Sequence, residues 1–292
     1  MPITHQLLAV FVALIWGTNF VFIELGLNDL PPFLFASLRF IFAALPLVFI
    51  LPRPAVAWRY LIAYGFFIGF GQFGLIFWVM GSHMSPGLAS LVIQVQAVFT
   101  IVLALMLFKE TIRLPQILAL VISFVGILLI AIQGDADATP IGLAVILIAA
   151  LSWAAGNVVV KRSGKVHIIA FLAWSSLFAV PPLTLMSYYY EGPVLISHSL
   201  ASAQWQAWSI VLWQTIGNTL IGYGLWNLLL QRHAAALVAP WALLVPVFGM
   251  AASSVFLDES MPWWKWVAAA LIIAGLVLNL RSTKSPTPVK IN

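Results

Sequence analysis

Amide side chains are the chemistry that this sequence places where water is scarce. Asn19, Gln72, Gln94, Gln96, Asn157, Gln214, Asn218 and Asn227 each interrupt a long apolar run. An amide offers both donors and acceptors, as a zwitterionic, amino-acid-like ligand requires. Its neutrality suits a site that must release as well as bind. On the fourth run Ser90 and Gln94 are spaced i,i+4 and share a face, which Gly87 extends. Gln96 and Thr100 share another face, about 200° around the helix. Gln94 is therefore the better placed of the two glutamines to line a cavity. Trp16 lies i,i+3 from Asn19, and Trp153 lies i,i+4 from Asn157. A Trp plane beside an amide, made twice, would form a symmetric ligand cradle. Gln214 and Asn218 add a further i,i+4 polar stripe, and Trp241 a third aromatic wall. The competing role for the amides is bonding between helices, worth about 0.6 kcal/mol on average. For the tryptophans it is interface anchoring or core packing.

Charged groups inside the runs are few. Arg39 lies seven residues after Pro32, roughly 10 Å along a helix. It would meet a ligand carboxylate, act as a gate charge, snorkel outward, or pair with Glu24. Glu24 is also the best placed carboxylate for ion coupling, because no acid sits in the middle of a run. Glu110 and Glu259 end runs and precede Thr111 and Ser260, good N-caps for the next helix. Their expected role is structural. Gly65 and Gly69 make a small-xxx-small face for close helix packing. Pro46, Pro181, Pro182 and Pro246 interrupt runs, and Pro246 is the preferred hinge.

These residues sit in ten apolar runs, near 6–25, 33–51, 60–80, 85–108, 114–132, 141–160, 168–188, 207–230, 235–257 and 263–280. Hydrophobic residues make up 63% of the 292-residue chain and charged residues 7%, against about 25% charged in soluble domains. So few charges cannot cover a surface in water, so the solvent must be lipid. Helices satisfy their own backbone there, and period-two alternation, the mark of a barrel, is absent. The expected fold is an all-α integral membrane protein of ten transmembrane helices.

Basic residues alternate with the connections. Arg53, Arg59, Lys109, Arg113, Lys161, Arg162, Lys165 and Arg232 fall in even-numbered ones, and Arg281, Lys284 and Lys290 in the tail. Only Arg39 and Lys265 of the thirteen Lys and Arg break the rule. Basic loops stay inside, so both termini are expected in the cytoplasm. The first run lacks a small-residue cleavage site and reads as a span.

The halves repeat. Ala13, Leu14 and Trp16 recur as Ala150, Leu151 and Trp153. Val98-Phe99, Glu110, Ala119 and Gly126 recur at one constant offset as Val247-Phe248, Glu259, Ala268 and Gly275. Five spans per unit is odd, so the second unit (140–281) enters the membrane inverted relative to the first (1–133), with 282–292 as a cytoplasmic tail. Inverted repeats suit alternating access around a midplane site.

Other classes fit less well. A net charge of +5 dispersed singly between apolar runs does not describe a nucleic-acid surface. Cysteine is absent and no HExxH motif occurs, so neither metal nor cofactor is expected. No marked nucleophile points to an enzyme. No charge ring or carbonyl filter marks a channel, although a passive facilitator stays in play. Nothing in the sequence fixes an oligomeric state.

WGTNFVFIELGLNDLPPFLFASLRF (16–40), GLASLVIQVQAVFTI (87–101), SWAAGN (152–157), IGYGLW (221–226) and APWALLVPVFG (239–249) resemble the EamA family of the drug/metabolite transporter superfamily. The likeness spans nearly the whole chain. It implies two inverted five-helix repeats in a bacterial inner membrane. It also implies export of small amino-acid metabolites of the O-acetylserine and cysteine kind, or alternatively of aromatic or threonine/homoserine-like amino acids.

Overall fold

The computed structural model describes residues 1–84, 86–109, 112–133, 139–258 and 262–282. Glu110 and Glu259, with the caps Thr111 and Ser260, lie outside the described residues, as do 283–292 of the tail. Among the described residues there is helix and loop but no strand. The helices are α1 (Ile3–Leu27), α2 (Pro32–Val48), α3 (Trp58–Ser82), α4 (86–108), α5 (Leu114–Gln133), α6 (Pro140–Ser163), α7 (168–191), α8 (Gly192–Ser202), α9 (205–232), α10 (Ala235–Phe256) and α11 (Trp263–Ser282). Among the described residues, six helical stretches can cross a membrane by length and composition, and Pro32–Val48, Leu114–Gly126 and Trp266–Asn279 are shorter apolar helices. The chain is a multi-pass membrane protein.

One element was not expected. The connection after the seventh run holds the short helix α8. Gly192, at φ +77, breaks the winding between α7 and α8 in a conformation that glycine adopts without Cβ strain.

Burial explains the apolar excess. In α5, Leu118, Val121, Val125, Leu128 and Ile132 are exposed along one stripe at helical spacing. In water such a stripe would be a liability; in lipid it is the solvent-matched face. The opposite face of α5 carries Ala119, Ser123 and Gly126 and packs on α11. A Cβ on Gly126 would lie 2.8 Å from the Ala268 carbonyl oxygen, and one on Gly275 would lie 2.5 Å from that of Ala119. The two sequence-paired positions thus meet reciprocally, each glycine against the other segment's alanine.

The remaining packing has the same reciprocal form. Besides α5 with α11, the principal pairs are α2 with α7, α1 with α10, and α4 with α6; α3 packs on α6 and α7, and α9 on α1 and α2. Departures from ideal winding recur as well. Gly65–Gly74 in α3 and Trp213–Gly222 in α9 take the wider π-helical winding. Ile93–Val95 in α4 and Ala239–Leu244 in α10 take the tighter 3₁₀ winding. Lys109 (φ 54) and Asp258 (φ 53), which end α4 and α10, share a left-handed conformation and the Val98-to-Val247 offset. Pro246 follows the 3₁₀ stretch at the start of the α-helical part of α10, where a missing N–H costs little. Pro46, Pro181 and Pro182 lie inside α2 and α7.

The ends are fastened on two faces. On one, His5 at the start of α1 meets His233 after α9 at 2.6 Å, and the Lys161 ammonium donates to the His233 carbonyl oxygen at 3.3 Å. On the other, the Thr139 N–H before α6 donates to the carbonyl oxygen of His83 after α3 at 3.0 Å. There the Glu191 carboxylate accepts from the Phe33 and Leu34 N–H groups at 2.5 and 3.0 Å. An acid at the N-terminus of α2 satisfies orphan donors and complements the helix dipole.

Candidate functional site

A cavity of about 30 Å³ lies at the centre of the bundle, lined from α1, α3, α4, α6, α9 and α10. That is water-sized room, below the about 300–1,000 Å³ typical of ligand pockets. Trp16, Asn19, Gln72, Gln94, Trp153, Asn218 and Tyr223 line it, with Phe20, Ile23, Phe73, Ile76, Ile93 and Val245 as its apolar wall.

Local winding aims the polar groups. Gln94 sits in the 3₁₀ stretch of α4, Gln72 and Phe73 in the π stretch of α3, and Asn218 in that of α9. Wide winding leaves α-type carbonyl bonds unmade and rotates the side chains that follow. The Thr219 hydroxyl accordingly donates to the Gln214 carbonyl oxygen, five residues back, at 2.9 Å.

The two tryptophans come together on the cavity, but the second Trp–amide pair of the expected cradle does not, since Asn157 is outside the lining. Trp16 and Trp153 meet edge to face, with ring centroids 5.0 Å apart and planes at 77°. Tyr223 lies against Trp16 at 4.8 Å. Around this cluster, buried polar atoms of the lining are left without protein partners: the indole N–H groups of Trp16 and Trp153, and the amide oxygens of Asn19, Gln72 and Gln94. Buried polar groups are ordinarily bonded. Unspent donors and acceptors on residues that line one cavity are what a polar ligand with both kinds of group can use.

Other expected site residues are placed elsewhere. Gln96 accepts from the Thr100 hydroxyl at 3.3 Å, and that hydroxyl accepts from the Asn157 amide at 3.0 Å. The Asn157 oxygen accepts from the Trp226 indole N–H at 3.0 Å. This buried relay ties α4, α6 and α9 together, so Gln96 and Asn157 serve a helix seam and not the cavity wall. Trp241 is buried in the apolar core outside the cavity lining. Helical spacing located these side chains to a face; the neighbouring helix decided whether that face met a cavity or a seam. Glu24, partly exposed on α1, is also outside the lining. Gly65 and Gly69 pack tightly on α7, against Ser175 and Ala179.

Arg39 neither snorkels nor reaches Glu24. It is fully buried. Its Nε donates to Thr219 Oγ1 at 2.6 Å, Nη1 to Gln214 Oε1 at 3.0 Å and Nη2 to Asn218 Oδ1 at 3.1 Å. Its guanidinium carbon stands 3.5 Å from the centroid of the Phe73 ring. Gln214 is thus a ligand of Arg39 and is absent from the central lining, whereas Asn218 touches both Arg39 and the cavity.

Sequence reasoning missed Thr219, Phe73, Tyr64 and Tyr223. Tyr223 accepts from the Gln72 amide at 2.6 Å, and Tyr64 from the Asn227 amide at 2.9 Å. A phenol one turn beyond the Asn218–Thr219 pair, within an apolar run, is the signal that marks Tyr223.

A multi-helix membrane bundle around a small, mixed polar and aromatic cavity has the form of a solute carrier. The EamA-like transporter family model matches residues 4–132 and 140–281, and the chain belongs to that family. A "Probable amino-acid metabolite efflux pump" of Salmonella typhimurium is 37% identical over 280 residues, covering 94% of this chain and 93% of its own. A protein of the same description from Escherichia coli K12 is 34% identical over 291 residues, covering 97% of each. One solved crystal structure superposes with a TM-score of 0.76 at 18% identity, covering 97% of this chain and 99% of the other; at that identity it speaks for the fold alone.

Proposed function

We propose that this protein exports small amino-acid metabolites across the bacterial inner membrane by alternating access. In this reading ten helices cross the membrane as two inverted five-helix repeats, 1–133 and 140–281, with both termini and the 282–292 tail in the cytoplasm. The short helix α8 is extra to that set. The reciprocal packing, the recurring π and 3₁₀ stretches and the matched left-handed ends at Lys109 and Asp258 support the repeat. The face that gathers His5, Lys161 and His233 collects basic connections, which supports a cytoplasmic assignment for it.

The observation that carries the proposal is the central cavity. Trp16 and Trp153 form its aromatic side, and the amide oxygens of its lining residues Asn19, Gln72 and Gln94 have no protein partner. An ammonium group finds acceptors there and an apolar side chain finds ring faces. The description of the Salmonella and Escherichia relatives as amino-acid metabolite efflux pumps supports that class of solute. The halves close on the cavity from both ends in turn, and Glu24 is the candidate for ion coupling.

Counterflow in proteoliposomes tests the reading. Unlabelled cysteine, O-acetylserine or an aromatic amino acid inside should accelerate entry of its labelled form. A passive pore would give no acceleration, and failure of every such solute would remove the substrate class. Glu24→Gln should abolish any stimulation by a pH gradient.

A further inference from the structure

A second cavity, of about 10 Å³, adjoins the first; Tyr223 lines both. Arg39, Tyr64, Ser176, Thr219 and Tyr223 supply its polar groups, and Phe40, Ile68 and Leu172 its apolar ones. Its polar inventory is lopsided. Arg39 carries five N–H donors and spends three of them on Thr219, Gln214 and Asn218. Tyr64 and Tyr223, 3% and 2% exposed, are each paired with a single amide, Asn227 and Gln72. Whichever way each amide is turned, every pair keeps one unspent N–H or O–H donor. Among the described residues no carboxylate meets Arg39: its partners are two amides and a hydroxyl. A buried charge is ordinarily balanced by an opposite one, and inside a membrane an unbalanced cation marks a functional position.

The repeat sharpens the point. At the offset relating Val98 to Val247, Gln214 corresponds to Gly65 and Asn218 to Gly69. Gly65 and Gly69 pack on small residues of α7. Packing alone is therefore satisfied by small residues at these positions, and only one half has built a guanidinium clasp there.

We infer that Arg39, Tyr64 and Tyr223 form a carboxylate subsite opening off the central cavity beside Tyr223. The substrate's ammonium and side chain rest among Asn19, Gln94 and the tryptophans, and its carboxylate takes the unspent donors. The same event loosens the hold of Arg39 on Asn218, the residue shared by clasp and cavity. Because Arg39 belongs to α2 and its partners to α9, binding then acts on the junction between the two halves. This inference rests on the proposed amino-acid class of solute.

Intrinsic tryptophan fluorescence of the purified full-length protein tests the subsite independently of transport, since Trp16 and Trp153 border the cavity. Cysteine should bind and cysteamine, its decarboxylated counterpart, should bind at least about tenfold more weakly, the size of a lost charge-assisted bond. Arg39→Gln should narrow that difference to under about threefold by weakening cysteine alone. Tyr64→Phe and Tyr223→Phe, which keep ring packing, should each weaken cysteine severalfold and leave cysteamine unchanged; they carry the test if the arginine variant fails to fold. Equal binding of the two amines, unchanged cysteine binding in the variants, or no binding of cysteine at all overturns the subsite. Selective binding without counterflow leaves the subsite standing and removes the export proposal instead.

Discussion

Replacing Asn19 by leucine separates a ligand group from a structural one, because the two roles predict opposite signs. The Asn19 side chain is 3% exposed and its oxygen is buried without a partner. Leaving a buried acceptor unmade costs about 1–3 kcal/mol in water-soluble proteins, and hydrogen bonds between membrane helices average about 0.6 kcal/mol. An apolar side chain of similar volume removes that penalty, so Asn19→Leu should hold or raise stability by about 1 kcal/mol. The same change removes an acceptor from the cavity. A hydrogen bond to a charged group is worth about 1.5–3 kcal/mol, so half-saturation for a zwitterionic solute should rise roughly ten- to hundredfold. The assays are melting of the purified protein and concentration-dependent counterflow at equal protein density. A variant that melts well below the wild type, or that transports with unchanged half-saturation, refutes the assignment of Asn19 to the cavity.

Three further outcomes follow from named contacts. Asn157→Leu should lower stability by about 1–3 kcal/mol, since it strands the Trp226 indole N–H and breaks the link to Thr100. Melting and counterflow together check this: half-saturation of the folded fraction should stay near the wild-type value, the reverse of Asn19→Leu. Gly275→Val should cost about 1–3 kcal/mol through overpacking, because its first side-chain carbon already meets Ser123 and the Ala119 carbonyl oxygen; a thermal melt reads this, and Gly126→Val should behave alike. Burial, reinforced by the neighbouring His5, holds His233 below the ordinary histidine range. Such a histidine takes up protons more readily once its contact is broken, so its contribution is present above about pH 6.5 and is lost as pH falls from there towards the folded value. Melting temperature should therefore drop between about pH 7 and 5, and His233→Gln should flatten that part of the profile.

Much of the architecture was legible in the chain. A charged content of 7% leaves no soluble option, and apolar runs of helical length then follow from the need to satisfy backbone groups in lipid. The spacing that pairs Ala119 with Ala268 and Gly126 with Gly275 is visible in the sequence, and these residues meet on the α5–α11 seam. Residue types were legible too: Trp16, Asn19, Gln72, Gln94, Trp153 and Asn218 stand on one cavity. The helix α8 was not, because a short helix mixing Val194, Leu195, Ile196 and Leu200 with serines and a histidine carries no periodic signal strong enough to set it apart from a loop.

Sequence by itself determined that this is a helical membrane protein with amides and one arginine buried in its spans, because composition and run length decide which solvent a segment tolerates. Tertiary structure alone decided which of those groups share a cavity. Facing angles are read at the ideal helical winding, and the π and 3₁₀ stretches that carry Gln72, Gln94 and Asn218 depart from it. Arg39 meets Gln214, 175 residues away, only because α2 and α9 pack side by side, a choice made by the fit of two helix surfaces and not by either helix alone.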